Sequence, residues 1–404
     1  MVVEAEREVW SVIADREVAE GYVAKVCFKT GPPTRVGVEL EWTVHHQADP
    51  RRPLDINALA TVLGPYAPPT LVPGSPHQTL AGGGLVTVEP GGQVEISSPP
   101  YASLARLMEV IARDSAELER LLEPAGLRLG THGCDPHRPP QRLVGTPRYR
   151  AMERSFDRIG PSGRTMMSGT AGLQISLDVG AADRAVARWD ALHTLGPPLI
   201  ALFANSPRHA GRDTGWASHR MRTWFDTDPV RTLPPEASAD PIGAWARRVL
   251  DAPLLCLRQP GDCWDAPPGV TFADWIDGAL PSPPTFDDLR YHLSTVFPPV
   301  RPRGHYEVRY LDAQPGAGWM VPVAMLAALF AREETVDAAA EIAAPAADRW
   351  LQAAQEGLSD AVIASVIPPL IQLACQALSD TDLPPPITTE VAERLSKHTK
   401  GASS

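Results

Sequence analysis

Two carboxylates stand close together in the stretch RVGVELEW, residues 35–42. At the two-residue period of a β-strand, Glu39 and Glu41 share one face with Gly37, and the opposite face is apolar. The carboxylates then lie roughly 7 Å apart along the strand, close enough for their charges to repel. A strand facing water spreads this charge into solvent, whereas an interior strand needs a cation to offset it. The stretch alone leaves both interpretations open, a solvated edge or half of a metal site.

The composition is that of an ordinary globular protein, with 44% hydrophobic and 21% charged residues in a chain of 404. The net charge of −11 argues against nucleic acid or an anionic membrane surface as a partner. We expect no stretch to reach the ~20 apolar residues of a membrane span, and the N-terminus lacks the order of a signal peptide. Five cysteines without a Cys-x-x-Cys pair argue against a disulfide framework or a structural zinc site. A cytoplasmic protein is therefore expected.

Further strands repeat the arrangement of an apolar face opposite a polar one. Two alternating runs flank PGG at residues 90–92, which predicts a hairpin over 85–97. The runs GLQISLD (172–178) and YEVRY (306–310) predict two more strands, and we interpret SHRMRTW (218–224) as another. The polar groups on these segments are Glu89, Glu95, Gln174, Arg220, Arg222, Glu307 and Arg309.

Helical periodicity covers much of the remaining chain. The most regular pattern spans 102–123, where an apolar stripe begins at Leu104 and Gly126 provides a C-terminal stop. No internal repeat and no long low-complexity linker divides the chain, so we expect no separate second domain. The other predicted helices cover residues 4–28, 148–159, 181–204, 286–296 and much of the region after 320.

The polar groups suit a particular chemistry if they share one site. Oxygen-rich ligand sets select hard cations, Mg²⁺ or Mn²⁺, over zinc. Arginines grip phosphate and carboxylate groups as a bidentate fork. Carboxylates, magnesium and arginines together can transfer a phosphoryl group from a nucleotide. Because the chain has no G-x-x-x-x-G-K-[ST] motif, a P-loop enzyme is excluded. For each strand alone, a half-exposed antiparallel sheet with solvated charges is the better explanation, and only the joint pattern favours a polar cavity.

Several ordered motifs over about residues 20–325 carry a resemblance. They are GVELEW, VEPGGQVEISSPP, GTAGLQISLD, ALFANSP, HRMRTWFDTDPVRT and HYEVRYLDAQP. Together they resemble the glutamate–cysteine ligases of the plant and bacterial GCS2-like type, and in particular the actinobacterial branch that serves ergothioneine biosynthesis. The resemblance implies an α+β, glutamine-synthetase-like fold, in which an antiparallel sheet curves into a funnel with helices packed outside. It implies one catalytic domain over residues 1–404, with a C-terminal helical part at 320–396 that carries no motif.

The resemblance also implies roles for the polar residues. The implied metal ligands are Glu39, Glu41, Glu89, Glu95, Gln174 and Glu307, and the two glutamates of GVELEW would serve different ions. Arg220, Arg222 and Arg309 would meet the glutamate carboxylates and the transferring phosphoryl group, with Arg309 also at the nucleotide. Asn205 has two open interpretations, a hydrogen-bonding group at a helix end and a cofactor-binding residue. Glu95 could also accept the proton of the attacking amine.

The implied function is an ATP-dependent ligase that forms γ-glutamylcysteine from L-glutamate and L-cysteine through γ-glutamyl phosphate, with Mg²⁺ or Mn²⁺ as the metal. Two alternatives stay open: a carboxylate–amine ligase of the same superfamily with another acceptor, and a non-catalytic relative that binds Mg-nucleotide. A hydrolase that uses the carboxylates alone lacks an evident nucleophile with a matching base. The sequence leaves the oligomeric state open and is compatible with a monomer.

Overall fold

A computed structural model describes residues 12–401 of the chain as an α+β fold. The strands are β1 Val36–Trp42, β2 Val44–His46, β3 Leu85–Val88, β4 Val94–Ser97, β5 Leu127–Leu129, β6 Gly172–Leu177, β7 Arg208–His209, β8 Arg212–Asp213, β9 Val300–Pro302 and β10 Tyr306–Asp312. The α-helices are α1 Arg16–Cys27, α2 Ile56–Leu63, α3 Leu104–Leu122, α4 Pro147–Asp157, α5 Ser162–Gly169, α6 Ala185–Thr194, α7 Gly196–Leu202, α8 His219–Thr227, α9 Pro229–Thr232, α10 Pro241–Asp251, α11 Phe272–Ile276, α12 Phe286–Leu293, α13 Met320–Leu329, α14 Glu333–Ala343, α15 Trp350–Glu356, α16 Ala361–Ala377 and α17 Pro385–Gly401.

The main sheet has six strands in the order β3-β4-β1-β6-β10-β9, and every neighbouring pair is antiparallel. β1 is an interior strand, paired with β4 on one side and β6 on the other. The solvated-edge interpretation of GVELEW is therefore wrong. The predicted hairpin and the predicted strands at 172–178 and 306–310 are confirmed, as is the α+β class with an antiparallel sheet.

One face of this sheet packs on the hydrophobic core, because alternate residues of its central strands are apolar. Val38 and Leu40 of β1 and Leu173 and Ile175 of β6 are all at most 3% exposed. The opposite face collects the polar groups: Glu39 lies across from Gln174. On the other side of β1, Glu41 lies across from Glu95.

A β-bulge interrupts β10 beside this polar face. Val308 pairs with Ile175 and Leu311 with Leu173, so a step of three residues on β10 matches a step of two on β6. Both Val308 and Leu311 stay in the core. Asp312 then pairs with Gly172 and lies on the same face as Gln174.

The helices pack around the sheet and against one another. Helix α3 begins at the N-cap Ser103, whose hydroxyl accepts a hydrogen bond from the Arg106 amide, and packs against β1 and β4. One connected set of buried apolar residues extends from Ile13 to Leu395. The C-terminal helices therefore share the core with the sheet.

The expectation that no segment has the length and apolar character of a membrane span is wrong. The helical segment Ala361–Asp380 is long and apolar enough by these two measures. Its residues Ile363, Val366, Ile367, Leu370 and Ile371 are buried at helical spacing, and the helix packs against α13 and α14. Proline and glutamine occupy part of the exposed side. We therefore regard this segment as a core helix.

Three local predictions need correction. Residues 218–224 are not a strand but the start of α8, capped by Ser218. The helix predicted over 181–204 is two helices, α6 and α7, which separate before Pro197 because proline disrupts an α-helix interior. The helix predicted over 4–28 is observed as α1 from Arg16; residues 4–11 of that prediction lie outside the described residues.

Candidate active site

A cavity of about 280 Å³ opens on the polar face of the sheet. The predicted residues that line it are Glu39, Glu41, Glu89, Glu95, Gln174 and Arg309. Its other lining residues come from the β3–β4 turn, from α4, α5 and α8, and from the segment that leads into β10. The sheet thus supplies the floor, and helices supply much of the wall.

The acidic half of the cavity consists of Glu39, Glu41, Glu89 and Glu95. One oxygen of Glu95 accepts hydrogen bonds from the Thr87 hydroxyl at 2.6 Å and the Ser97 hydroxyl at 3.0 Å. These bonds orient the carboxylate but bring no positive charge.

The acidic half is poorly compensated electrostatically. Burial raises the pKa of Glu39 to about 7, and the charge of Glu307 adds to the shift. Burial raises the pKa of Glu89 to about 7, with a further contribution from Glu41. The pKa of Glu95 is also well above its ordinary value, first through burial and then through the neighbouring glutamates. Such a cluster favours protons or a cation.

The basic half surrounds Glu307, which is fully buried and lies beside the cavity rather than on its surface. The Arg301 guanidinium donates two hydrogen bonds to the Glu307 carboxylate, at 2.6 and 3.1 Å. Arg303 reaches it at 3.3 Å and Arg309 at 3.1 Å. Burial alone would raise the pKa of Glu307, but the charges of Arg301 and Arg309 outweigh it and hold the pKa well below its usual range.

Gln174 joins the two halves. Its amide nitrogen donates a hydrogen bond of 2.7 Å to Glu41, and its amide oxygen accepts one from Arg309. The Gly172 amide also donates to Glu41, at 2.6 Å. Both ends of the Gln174 amide are therefore engaged with side chains of the chain itself.

Besides Glu307, three predicted residues lie outside the cavity lining. Arg220 is buried behind it and donates a hydrogen bond of 2.9 Å to the Arg309 carbonyl. Arg222, two residues further along helix α8, projects elsewhere and pairs with Asp226 at 3.2 Å. The Asn205 side chain donates two hydrogen bonds of 2.7 Å, to the carbonyls of Thr131 and Ala313. This geometry favours the hydrogen-bonding interpretation of Asn205.

The sequence analysis missed three arginines of the cavity, Arg148, Arg301 and Arg303. Arg148 lies in the first turn of α4, after the N-cap Thr146 and a proline at the first helical position. This pattern indicates where the helix begins but not where the Arg148 side chain points. Arg301 and Arg303 flank Pro302 at the end of β9, a strand too short to show alternation. Trp224 and three methionines of the lining were not predicted either. Met221, Trp224 and Phe225 recur at helical spacing, and this pattern could have identified α8.

The donors in the cavity fit a hard divalent cation better than a soft one. Among the described lining residues there are four carboxylates and neither histidine nor cysteine. Between residues 12 and 401, no three acidic, imidazole or thiol groups converge closely enough to enclose an ion. The four carboxylates thus line one cavity without forming a closed ligand set. A cation that draws them together would offset their mutual repulsion.

Comparison with known proteins gives the family. The family described as glutamate-cysteine ligase family 2 (GCS2) matches residues 35–366. The chain is 39% identical over 357 residues to glutamate–cysteine ligase EgtA of Mycobacterium tuberculosis H37Rv, covering 86% of this chain and 80% of the relative. It is 37% identical to EgtA of Mycolicibacterium smegmatis, covering 89% of this chain and 84% of the relative.

Two solved structures are similar at 12% identity. One is a bifunctional glutathione synthetase from Pasteurella multocida, with a TM-score of 0.49 over 96% of this chain and 50% of that one. The other is glutamate–cysteine ligase from Francisella tularensis in complex with AMP, with a TM-score of 0.40 over 93% and 95%. These scores are too low to support an argument, so the family rests on the sequence matches. On those matches, the chain belongs to glutamate–cysteine ligase family 2.

Proposed function

We propose that this chain is an ATP-dependent ligase that joins L-glutamate to L-cysteine through γ-glutamyl phosphate, forming γ-glutamylcysteine for ergothioneine biosynthesis. The family and the two EgtA relatives support this activity. The structural observation that carries the proposal is the cavity, in which four glutamates and four arginines line one space. This arrangement combines a cation site with an anion site, as phosphoryl transfer requires.

Glu39, Glu41, Glu89 and Glu95 would hold Mg²⁺ or Mn²⁺, since oxygen donors suit a hard cation. The raised pKa values of Glu39, Glu89 and Glu95 are consistent with a missing positive charge at this place. When bound, the metal would neutralise charge on the phosphates of ATP. Gln174 and Glu307 are also proposed as ligands, although their oxygens are engaged with arginines. Ligation by Gln174 would require Arg309 to turn away, and ligation by Glu307 would require Arg301 to release its carboxylate as well.

The arginines would receive the anionic groups of the substrates. Arg301, Arg303 and Arg309 carry three positive charges against the single carboxylate of Glu307, which leaves an excess for phosphate. Arg148 is held at Ser294 by hydrogen bonds of 3.1 and 3.0 Å. No carboxylate of the described residues pairs with Arg148, so its charge is available to a substrate carboxylate. Arg220 would act indirectly, through the Arg309 carbonyl that it contacts.

Acceptance of the amine proton is assigned to Glu95. Burial and the neighbouring glutamates raise the pKa of Glu95, which increases the affinity of this carboxylate for a proton. Thr87 and Ser97 fix the direction of the group. The remaining catalysis would come from positioning and charge neutralisation. We also propose a cytoplasmic location and only small-molecule partners, in one domain over residues 1–404.

One assay tests the activity. Phosphate release from Mg-ATP is measured with glutamate alone, with cysteine alone and with both. We expect release that requires both amino acids, with γ-glutamylcysteine as the product. Equal release with other amines in place of cysteine would assign the chain to a broader acceptor range. An absence of release in every combination would overturn the proposed enzyme.

A further inference from the structure

Three of the eight methionines in the chain, Met152, Met166 and Met167, line the cavity. They are 5%, 8% and 4% exposed, so their limited free surface includes the part that faces this space. Elsewhere the lining is dominated by charged and amide groups. The cavity thus contains a compact apolar area formed by flexible, polarisable thioether side chains. We call these three residues the thioether wall.

The thioether wall is held firmly next to the acidic half. The Gln93 side chain donates hydrogen bonds to the carbonyls of Met167 and Thr170, at 3.3 and 2.9 Å. The Thr170 hydroxyl donates to the Met166 carbonyl at 2.7 Å. A Cβ atom at Gly91 would collide with the Ser168 carbonyl, so only glycine permits this close approach. Because Gly91 and Gln93 belong to the β3–β4 turn, these contacts bring the end of α5 beside Glu89 and Glu95.

Helix α4 adds the remaining part of a small amino-acid site. Arg148 and Met152 are four residues apart, so they lie on the same face of this helix. An unpaired guanidinium and a thioether therefore stand side by side, opposite the carboxylates of the β3–β4 hairpin. The three kinds of group complement the carboxylate, the side chain and the amine of one small amino acid.

We propose that the thioether wall receives the side chain of the acceptor amino acid and sets the preference for a thiol over a hydroxyl. This inference rests on the proposed ligase function. A thiol is a weak hydrogen-bond donor and can be buried against sulfur and carbon. A serine hydroxyl packed against these three side chains would lose its hydrogen bonds to water, and a thioether sulfur is too weak an acceptor to replace them.

The test compares acceptors in one assay. kcat/KM is measured for cysteine and for serine at saturating glutamate and Mg-ATP, in the wild type and in Met167→Gln, Met167→Leu and Met108→Leu. Gln has nearly the length of Met but offers hydrogen bonds, whereas Leu keeps the wall apolar. Met108 lies in the core at 1% exposure and outside the cavity lining, so it is the matched control. Met166→Gln is a second polar variant in case Met167→Gln folds poorly.

We expect the wild type to prefer cysteine about 100-fold, as apolar pockets do against an added polar group. Met167→Gln should reduce this ratio about tenfold, while KM for glutamate and ATP stays constant. Met167→Leu should keep the ratio within about threefold, because this exchange conserves volume and polarity. A purely structural effect would lower both rates equally and leave the ratio unchanged; that result overturns the inference. An increase in KM for ATP alone would assign the wall to the nucleotide and also overturn it. A wild type inactive with cysteine would instead refute the ligase proposal.

Discussion

Glutamate side chains in the two halves of the cavity have opposite electrostatic environments. In the acidic half, Glu39 and Glu89 lie near other carboxylates, and burial with mutual repulsion raises their pKa values to about 7. In the basic half, Glu307 is fully buried but contacts three arginines, which lower its pKa. The difference shows that arginines of the chain itself neutralise Glu307, whereas Glu39, Glu41, Glu89 and Glu95 form no ion pair with the described residues.

This contrast separates stability from function within one site. The Glu307 cluster joins β9 to β10 and contributes to the fold itself. The acidic half destabilises the metal-free fold, since burial and neighbouring charges raise the pKa values of Glu39 and Glu89. Under the proposed function, a bound cation would offset this cost. Variants in the two halves should therefore change stability in opposite directions, while both reduce activity.

The largest effect is expected for Glu307→Gln. Removing this charge leaves Arg301, Arg303 and Arg309 without their carboxylate partner, and breaking a buried ion pair destabilises a protein by about 3–5 kcal/mol. Urea unfolding measures the change in the free energy of unfolding. Unchanged stability would contradict the structural role of the arginine cluster.

Glu39→Gln is the matched variant in the acidic half. It removes one of the repelling charges, so the metal-free free energy of unfolding should rise by about 1–2 kcal/mol. Ligase turnover with Mg-ATP should fall by about 100-fold or more, since a proposed ligand of the cation that neutralises the reacting phosphates is lost. Addition of Mg²⁺ should raise the melting temperature of the wild type more than that of the variant. A variant that retains full turnover would show that Glu39 is not a ligand.

The pH dependence should separate the halves without mutation. The pKa values of Glu39 and Glu89 are 4.5 in the unfolded chain and about 7 in the folded protein. These two groups therefore destabilise the fold increasingly as the pH rises from 4.5 to about 7. Glu307 has a lowered pKa, so its contribution is present above 4.5 and disappears only in stronger acid. The acidic half should therefore make the metal-free protein less stable at pH 8 than at pH 6, and Mg²⁺ should reduce this difference. Melting temperatures at both pH values, with and without Mg²⁺, check the expectation; a Mg²⁺ effect that is larger at pH 6 would contradict it.

The smallest effect is expected for Arg222→Ala. Arg222 is partly exposed and pairs with Asp226, and such surface pairs contribute less than about 1 kcal/mol. Its turnover should stay close to that of the wild type. Arg220→Gln, on the same helix, should lose much more activity because Arg220 supports Arg309. Turnover of the two variants is compared directly; a large loss for Arg222→Ala would return this arginine to the site.

The strands of the polar face could be predicted because each is long enough to show alternation of apolar and polar residues. β1, β4, β6 and β10 were found in this way, and so were the carboxylates on them. The edge strand β9 could not, since three residues next to prolines show no period. Arg220 and Arg222 were misplaced because a spacing of two suggests a strand, although Ser218 is a helix N-cap.

The electrostatic state of each glutamate was beyond sequence reasoning. Glu39 and Glu307 have the same local pattern, and only tertiary packing decides which of them meets arginines. Arg301 reaches Glu307 because β9 pairs with β10 in a register that places the two residues opposite each other. Spacing along one strand carries no information on such a neighbour.

The bulge in β10 constrains the number of residues in this part of the strand. Side chains of a strand alternate between the two faces of the sheet. The bulge accommodates one extra residue between Val308 and Leu311, so Leu311 still points to the core. Deletion of one residue there would restore a regular step of two on both strands, whereas deletion of two residues would turn Leu311 toward the polar face and Asp312 into the core. Asp312 would then leave the Ser206 and Ser218 hydroxyls, from which it accepts hydrogen bonds of 2.7 and 2.9 Å. The number of residues inserted or removed at this point therefore determines which face later side chains occupy, independently of the residue types.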